Sequence, residues 1–202
     1  MSNDRNALPT SSGAPSRKTI HTRRVHCTGY QRSDGLFDIE AELHDISAAD
    51  TDLLFKVVPA GGAIHHMRVI MTVDRDLVIQ DLQARLPTAP TPYCAAIEPA
   101  YSALKGLQIR GGFRQQVKSI VGGVRGCTHL TELLGPMATT AMQTILAIKR
   151  SERSAHKAGE SSADAQPMPK PQLLDSCHTY RQDGMAAKIL WPESRRAARA
   201  DA

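Results

Sequence analysis

Aromatic residues are scarce in this chain: three Phe, four Tyr and one Trp make up 4% of its 202 residues. A hydrophobic fraction of 41% still suffices for one core, so that core has to be built from aliphatic side chains and methionine. Long apolar runs are missing as well. No stretch approaches the roughly 20 residues that span a bilayer, and Met1 to Ser16 is polar, without an apolar signal core. The plain expectation is a cytoplasmic protein with no membrane partner. Cys27, Cys94, Cys127 and Cys177 form no C-x-x-C pair, which speaks against a structural zinc site. A disulfide framework is equally unexpected without an export signal, and the cysteines read as mostly buried free thiols. P-loop and dinucleotide glycine fingerprints are also missing, so nucleotide chemistry is disfavoured and no cofactor is expected.

A lopsided folded surface is missing too, despite a net charge of +5 and a pI near 9.2. Residues 1–24 hold five Lys/Arg and one acid, and residues 149–202 hold ten and seven. The middle, 25–148, holds ten and twelve and is slightly acidic. The excess positive charge is therefore in the ends. A nucleic-acid-binding domain carries its basic patch on the folded surface, so no nucleic-acid partner is expected. The sequence leaves homo-oligomerisation open.

The chain organises into an α+β domain over 19–150, with a disordered tail over 1–18 and a flexible linker over 151–172, where Pro167, Pro169 and Pro171 punctuate polar sequence. Leu173 to Pro192 regains apolar character and is expected to dock back on the domain, before a basic tail over 193–202. Within the domain, Phe37, Ile39, Ala41 and Leu43 alternate with Asp38, Glu40, Glu42 and His44, and His65, Met67, Val69, Met71 and Val73 share a face opposite His66 and Arg68. Leu77 to Leu86 and Ile20 to Thr28 complete about four strands. Their short connections predict an antiparallel meander. The period then changes. Glu98 to Leu107 and Phe113 to Val121 read as short helices, and Thr128 reads as the N-cap of a longer one. Leu130, Leu133, Leu134, Met137, Ala141, Ile145 and Ile148 stripe that helix, with a kink or break expected at Gly135-Pro136. Strands followed by helices argue α+β, with the helix covering one sheet face.

The most informative stretch is Gly122 to Leu134, where a glycine-rich turn carrying Arg125 and Gly126 runs into a helix start at Thr128. Free N–H groups there favour an anion, and Arg125 could clamp a carboxylate or phenolate. His129 and Glu132 are three apart on one helical face, which suits a histidine oriented by a carboxylate for proton transfer. In the bland alternative, Glu132 merely favours the helix dipole and His129 binds a loop carbonyl. A metal reading would take His129, Glu132 and His65 as ligands. His65 ends the apolar strand face, where packing is the simpler role. The row Asp38, Glu40, Glu42 and His44 reads most simply as a solvated face. Tyr30 with Arg32, and Tyr180 with Arg181, each precede an Asp-Gly-type turn; turn chemistry explains them, and phenol or carboxylate binding is the functional rival.

These fragments carry a resemblance. Tyr30 to Leu43, Ile64-His65, Gly111 to Phe113, Val124 to Leu134 (V-R-G-C-T-H-L-T-E-L-L) and Asp175 to His178 with Tyr180-Arg181 resemble domain-of-unknown-function family 2889. The resemblance covers residues 20–150 and 173–192. Phe37 departs from it where tryptophan is common, and His66 where an acid often follows the histidine. The resemblance implies a bacterial protein and a link to catabolism of lignin-derived aromatics. It raises the chemical reading of Arg125 to Glu132 above the bland one.

Together these readings lead to an enzyme of the lyase or isomerase class that acts on an aromatic or hydrophobic small molecule by cofactor-independent acid–base chemistry. A retro-aldol type C–C cleavage of a phenolic is the sharpest form. His129, Glu132, Tyr30 and His65 are the catalytic candidates, and Arg125, Gly126, Thr128, Arg32, Tyr180 and Arg181 the substrate-binding ones. The rivals are a non-catalytic ligand-binding or accessory protein and a metal-dependent enzyme.

Overall fold

Four long strands pair in the order β1-β2-β5-β6, all antiparallel, in a computed structural model that describes residues 15–157 and 174–193. They are β1 (His21–Gln31), β2 (Phe37–Ser47), β5 (Ala63–Val73) and β6 (Ile79–Thr88). Between β2 and β5 the chain makes a small hairpin of β3 (Thr51–Leu53) and β4 (Lys56–Val58), which the sequence pattern does not announce because three residues are too few to show a period. The expected meander is therefore present, with one hairpin inserted into it.

Alternation builds the sheet. Along β2 every odd residue from Phe37 to Ser47 is buried and every even one is partly exposed. The buried face of the sheet meets a 3-10 segment (Cys94–Leu104), α1 (Phe113–Val121) and α2 (Thr128–Lys157). Phe37, Ile39, Leu43, Met67, Met71 and Ile79 from the sheet form one cluster with Leu130, Leu133, Leu134, Met137, Ala141 and Ile145 from α2. This is the aliphatic and methionine core that the composition requires. Its one buried tyrosine, Tyr101, has a structural task described below.

Two expectations need correction. Helix α2 runs unbroken through Pro136 instead of splitting there. A proline removes only its own N–H, and the bulky residues around it, Leu133, Leu134 and Met137, are all anchored in the core. The helix continues to Lys157. Its first intrahelical bond runs from the Thr131 N–H to the Cys127 carbonyl, so Cys127, not Thr128, stands at the cap position.

The chain divides into two compact units, 1–150 and 151–202. In the second, residues 174–184 make successive turns before the short helix α3 (Met185–Leu190). The Tyr180 carbonyl accepts from the Asp175 N–H, and Arg181 contacts His178 and Asp183. Most of the expected 1–18 tail (residues 1–14), most of the linker (158–172) and the basic tail from 194 onward lie outside the described residues.

Candidate functional site

One rung of the sheet concentrates the chemistry. Arg23 on β1 pairs with Asp45 on β2, and Asp45 pairs with His65 on β5. The three sit in line across adjacent strands. Asp45 occupies the buried phase of β2, two residues beyond Leu43, and its side chain is only 2% exposed. The ladder slips just past it, between Asp45 and Ile46, where β5 carries the extra residue Ile64. From above, the first turn of α2 brings His129 down so that its ring lies 3.9 Å, centroid to centroid, from that of His65.

A carboxylate in this position has to be compensated. Arg23 does this bidentately, donating from Nε to Oδ1 at 2.7 Å and from Nη2 to Oδ2 at 2.8 Å. His21 Nε2 adds a contact to Oδ1 at 3.2 Å. Burial pushes the Asp45 carboxyl up, but the hydrogen bonds from Arg23 and His21 and the charges of Arg23 and His65 outweigh it and bring it down to about 2. Asp45 is thus a fixed anion at neutral pH. His65 moves the other way from its ordinary value: burial, then the neighbouring His129, pushes it down and favours the neutral ring. His65 Nδ1 lies 3.0 Å from Asp45 Oδ2, and this contact and the Asp45 charge oppose the downward push on His65. His129 Nε2 is 3.9 Å from the same oxygen.

Helix α2 is aimed at this rung by Tyr101. Its buried phenol donates to the Cys127 carbonyl at 2.8 Å, accepts from the Cys127 N–H at 2.9 Å and meets the Thr131 hydroxyl at 2.9 Å. Burial pushes the phenol up, so it remains a donor. Gly126 is needed beside it, since a Cβ there would lie 1.8 Å from the Val121 carbonyl oxygen.

A cavity of about 560 Å³ opens between α1 and the start of α2. Phe113, Val117, Val121 and Leu134 supply apolar wall, while Arg114 and Lys118 supply positive charge. Thr128, Thr131 and Glu132 come from α2. His65 and His129 are not part of its wall. The link between cavity and rung is Glu132, which accepts from Arg23 Nη1 at 2.7 Å while lining the cavity. This cavity and the titratable cluster are therefore neighbours joined by one ion pair. The cluster, whose charges are fixed by buried contacts, is the stronger pointer to chemistry.

A family model described as a protein of unknown function, DUF2889, matches residues 21–143. The chain belongs to this family. No curated protein and no solved structure matches the chain. The family-matched region begins at β1 and contains Arg23, Asp45, Tyr101, His65, His129 and Glu132, whereas Tyr180 and Arg181 fall outside it in the second compact unit.

The candidates named from sequence separate accordingly. His65 and His129 come together, and Glu132 joins them through Arg23. The carboxylate facing His129 is Asp45, not the expected Glu132. Arg125 does not reach toward a ligand: its guanidinium donates to the Ser119 and Ile120 carbonyls and closes the C-terminal end of α1. Gly126 serves the close approach just described, and Thr128 lines the cavity. Tyr30 and Arg32 sit at the other end of β1. Tyr30 pairs with Asp38, seven residues and about 23 Å along the strands from the Arg23 rung. Arg32 is engaged by Asp34 and Asp38.

The expected metal set of His129, Glu132 and His65 changes as well, because Glu132 is turned to Arg23. Asp45, His65 and His129 do present three donor atoms within 4.8 Å of one another. However, Arg23 already occupies both oxygens of Asp45, and a guanidinium there competes with any cation for the same charge and lone pairs. The arrangement suits proton transfer better: a fixed anion, a mostly buried imidazole pushed toward its neutral form, and a second, more accessible imidazole tilted against it.

Proposed function

We propose that this chain is a small enzyme that acts on an aromatic or otherwise hydrophobic small molecule by acid–base catalysis, in the lyase or isomerase class and without a nucleotide cofactor. The observation that carries the reading is the Arg23–Asp45–His65 rung with the His129 ring tilted against His65 at 3.9 Å. Two imidazoles at this distance resist holding two protons, so one accepts a proton while the other stays neutral. The Asp45 carboxylate works against burial and His129 at His65, favouring a proton on that ring.

His129 is the more exposed of the two rings and acts as the proton carrier, with His65 as its buried partner. In a retro-aldol cleavage, His129 accepts the side-chain hydroxyl proton as the adjacent C–C bond breaks. The hydroxyl carbon becomes a carbonyl, the bonding pair stays on the other fragment, and that carbon regains the proton. The chemistry is redox-neutral and needs an environment that holds negative charge on the substrate. Arg114 and Lys118, which form no ion pair among the described residues, supply the balancing positive charge beside apolar wall, taking the role expected of Arg125. They fit a substrate with an aromatic body and a phenolate or carboxylate. A cytoplasmic setting accompanies this reading, in keeping with four free cysteines. The described helices include none long and apolar enough to cross a membrane.

A second reading, a ligand-binding protein without chemistry, is favoured by one feature: the cavity wall contains neither histidine. A mass-spectrometric depletion screen against aromatic acids and phenols, with His129→Ala and His65→Gln alongside, separates the two. Consumption of a compound by the wild type and its loss in both variants is the expected result. Retention without consumption would move the conclusion to the binding protein, and undiminished turnover by His129→Ala would place the chemistry elsewhere.

A further inference from the structure

The opposite face of the same strands carries a second cluster that the proposed chemistry leaves unused. His44 and His66 are cross-strand partners, immediately next in sequence to Asp45 and His65 and therefore on the other side of the sheet. Their rings stack at 4.1 Å with 23° between planes. Glu42, two residues before His44 on the same face, places Oε1 3.6 Å from His66 Nε2. That separation is too long for a hydrogen bond. His66 Nε2 is nonetheless out of solvent and without a hydrogen-bond partner, an unsatisfied nitrogen aimed at a carboxylate.

We propose that Glu42, His44 and His66 form a binding site for a divalent transition metal of the zinc type. Each offers one ligand atom, and the three lie within 4.8 Å of one another. Zinc held by nitrogen and oxygen at about 2.1 Å separates its ligands by about 3.4 Å in a tetrahedron. Closing the present gap takes rotation about the soft terminal torsions of two imidazoles and a carboxylate, with the strand backbones unmoved. Two histidines and a glutamate are also a donor set that zinc accepts, with water completing the shell. His26, the cross-strand partner of Glu42, stands next in line as a further nitrogen donor.

The competing occupant is Arg68, whose Nε lies 2.8 Å from Glu42 Oε1. Arg68 is 56% exposed and can withdraw into water, so it holds the carboxylate weakly. This contrasts with Asp45, where Arg23 grips both oxygens of a buried group. The open face is therefore the better metal site of the two, and it is independent of the proposed catalytic rung.

Isothermal titration of the metal-free full-length protein with zinc chloride tests the inference, supported by metal analysis after gel filtration. One equivalent should bind to the wild type and to His129→Ala. His44→Ala and His66→Ala should lose it, and Glu42→Gln should weaken it at least about tenfold. All these positions reach solvent, so the variants are expected to fold, and circular dichroism checks this. Cobalt(II) offers a second readout, giving a tetrahedral absorption band in the wild type that His66→Ala abolishes. No stoichiometric zinc in the wild type would overturn the proposal. So would zinc that survives His66→Ala and disappears in His129→Ala.

Discussion

Arg23 holds Asp45 by both carboxylate oxygens, at 2.7 and 2.8 Å, from an edge strand whose side chain is 39% exposed toward a carboxylate that is 2% exposed. The pair is thus a surface cation serving a buried anion. Removing the cation strands the anion, which is far costlier than removing both. Arg23→Met is expected to destabilise the fold by about 2–3 kcal/mol, discounted for the solvent around the guanidinium. Asp45→Asn, which keeps the shape without the charge, should rescue much of that loss in the double variant. Urea unfolding of the four proteins in this cycle measures the coupling. Simple additivity of the two single variants would show that the ion pair does not stabilise the rung.

Acid should weaken the fold in two stages. Asp45 titrates at about 2 in the folded chain against an ordinary 3.8, so its contribution is complete above about pH 4 and is lost as pH falls toward 2. His65 is lowered from 6.5 by burial and by His129, so the folded chain binds its proton less readily than the unfolded chain does. Its contribution is present above pH 6.5 and is lost as pH falls through the lowered value. His65→Gln should therefore flatten the earlier stage while leaving the later one in place. Urea midpoints from pH 7.5 down to about 2 report both, and parallel curves for the variant and wild type below pH 6.5 would contradict a neutral His65.

Much of the fold was legible because its signals are periodic. The alternation from Phe37 to Leu43 and the stripe from Leu130 to Ile145 needed only residue types to be read. The site was legible only in part, for the opposite reason. Asp45 continues the core phase of β2, but a charged residue in phase with Phe37, Ile39, Ala41 and Leu43 reads as the end of the pattern. A buried anion is in fact the most informative exception to such a pattern. Arg23 gave no signal, because it sits in a basic run and its partner is 22 residues away in sequence. His129 and His65 were visible as candidates, but their contact depends on where α2 lands, which no local pattern encodes. Arg125 misled for a local reason: an arginine after a glycine pair serves the carbonyls ending α1 as readily as it serves a ligand.

Tyr101 should be more important to the site than its distance in sequence suggests. Its hydroxyl contacts the Cys127 N–H, the Cys127 carbonyl and the Thr131 hydroxyl, fixing the start of the helix that carries His129. Tyr101→Phe retains the packing and removes those three contacts, leaving buried polar groups short of partners. A loss of about 1–3 kcal/mol is expected. Amide hydrogen exchange should accelerate over Cys127 to Thr131 more than in α1. Uniform acceleration along the whole chain would indicate global destabilisation alone, without a specific role in anchoring the helix start.

Two glycines give a final contrast in which packing, not backbone conformation, decides the outcome. At Gly126, whose φ of −156° any residue can adopt, a Cβ would lie 1.8 Å from the Val121 carbonyl oxygen and 2.8 Å from its carbon. Those are backbone atoms at the end of α1, so relief requires the helix start to move away from Tyr101. At Gly29 the nearest obstacle is the Thr144 hydroxyl at 1.9 Å, the tip of a side chain that can change rotamer, although Thr144 Cβ at 3.0 Å leaves little further room. Gly126→Ala should therefore cost about 3 kcal/mol, at the upper end for overpacking, and Gly29→Ala less. Only Gly126→Ala should also disturb His129, because only there does the strain fall on the turn that aims it. Thermal melts rank the two, and a histidine NMR spectrum reads the second effect. A His129 resonance that shifts in Gly29→Ala but stays fixed in Gly126→Ala would mean that the helix is aimed from its middle, across β1, and not from its start.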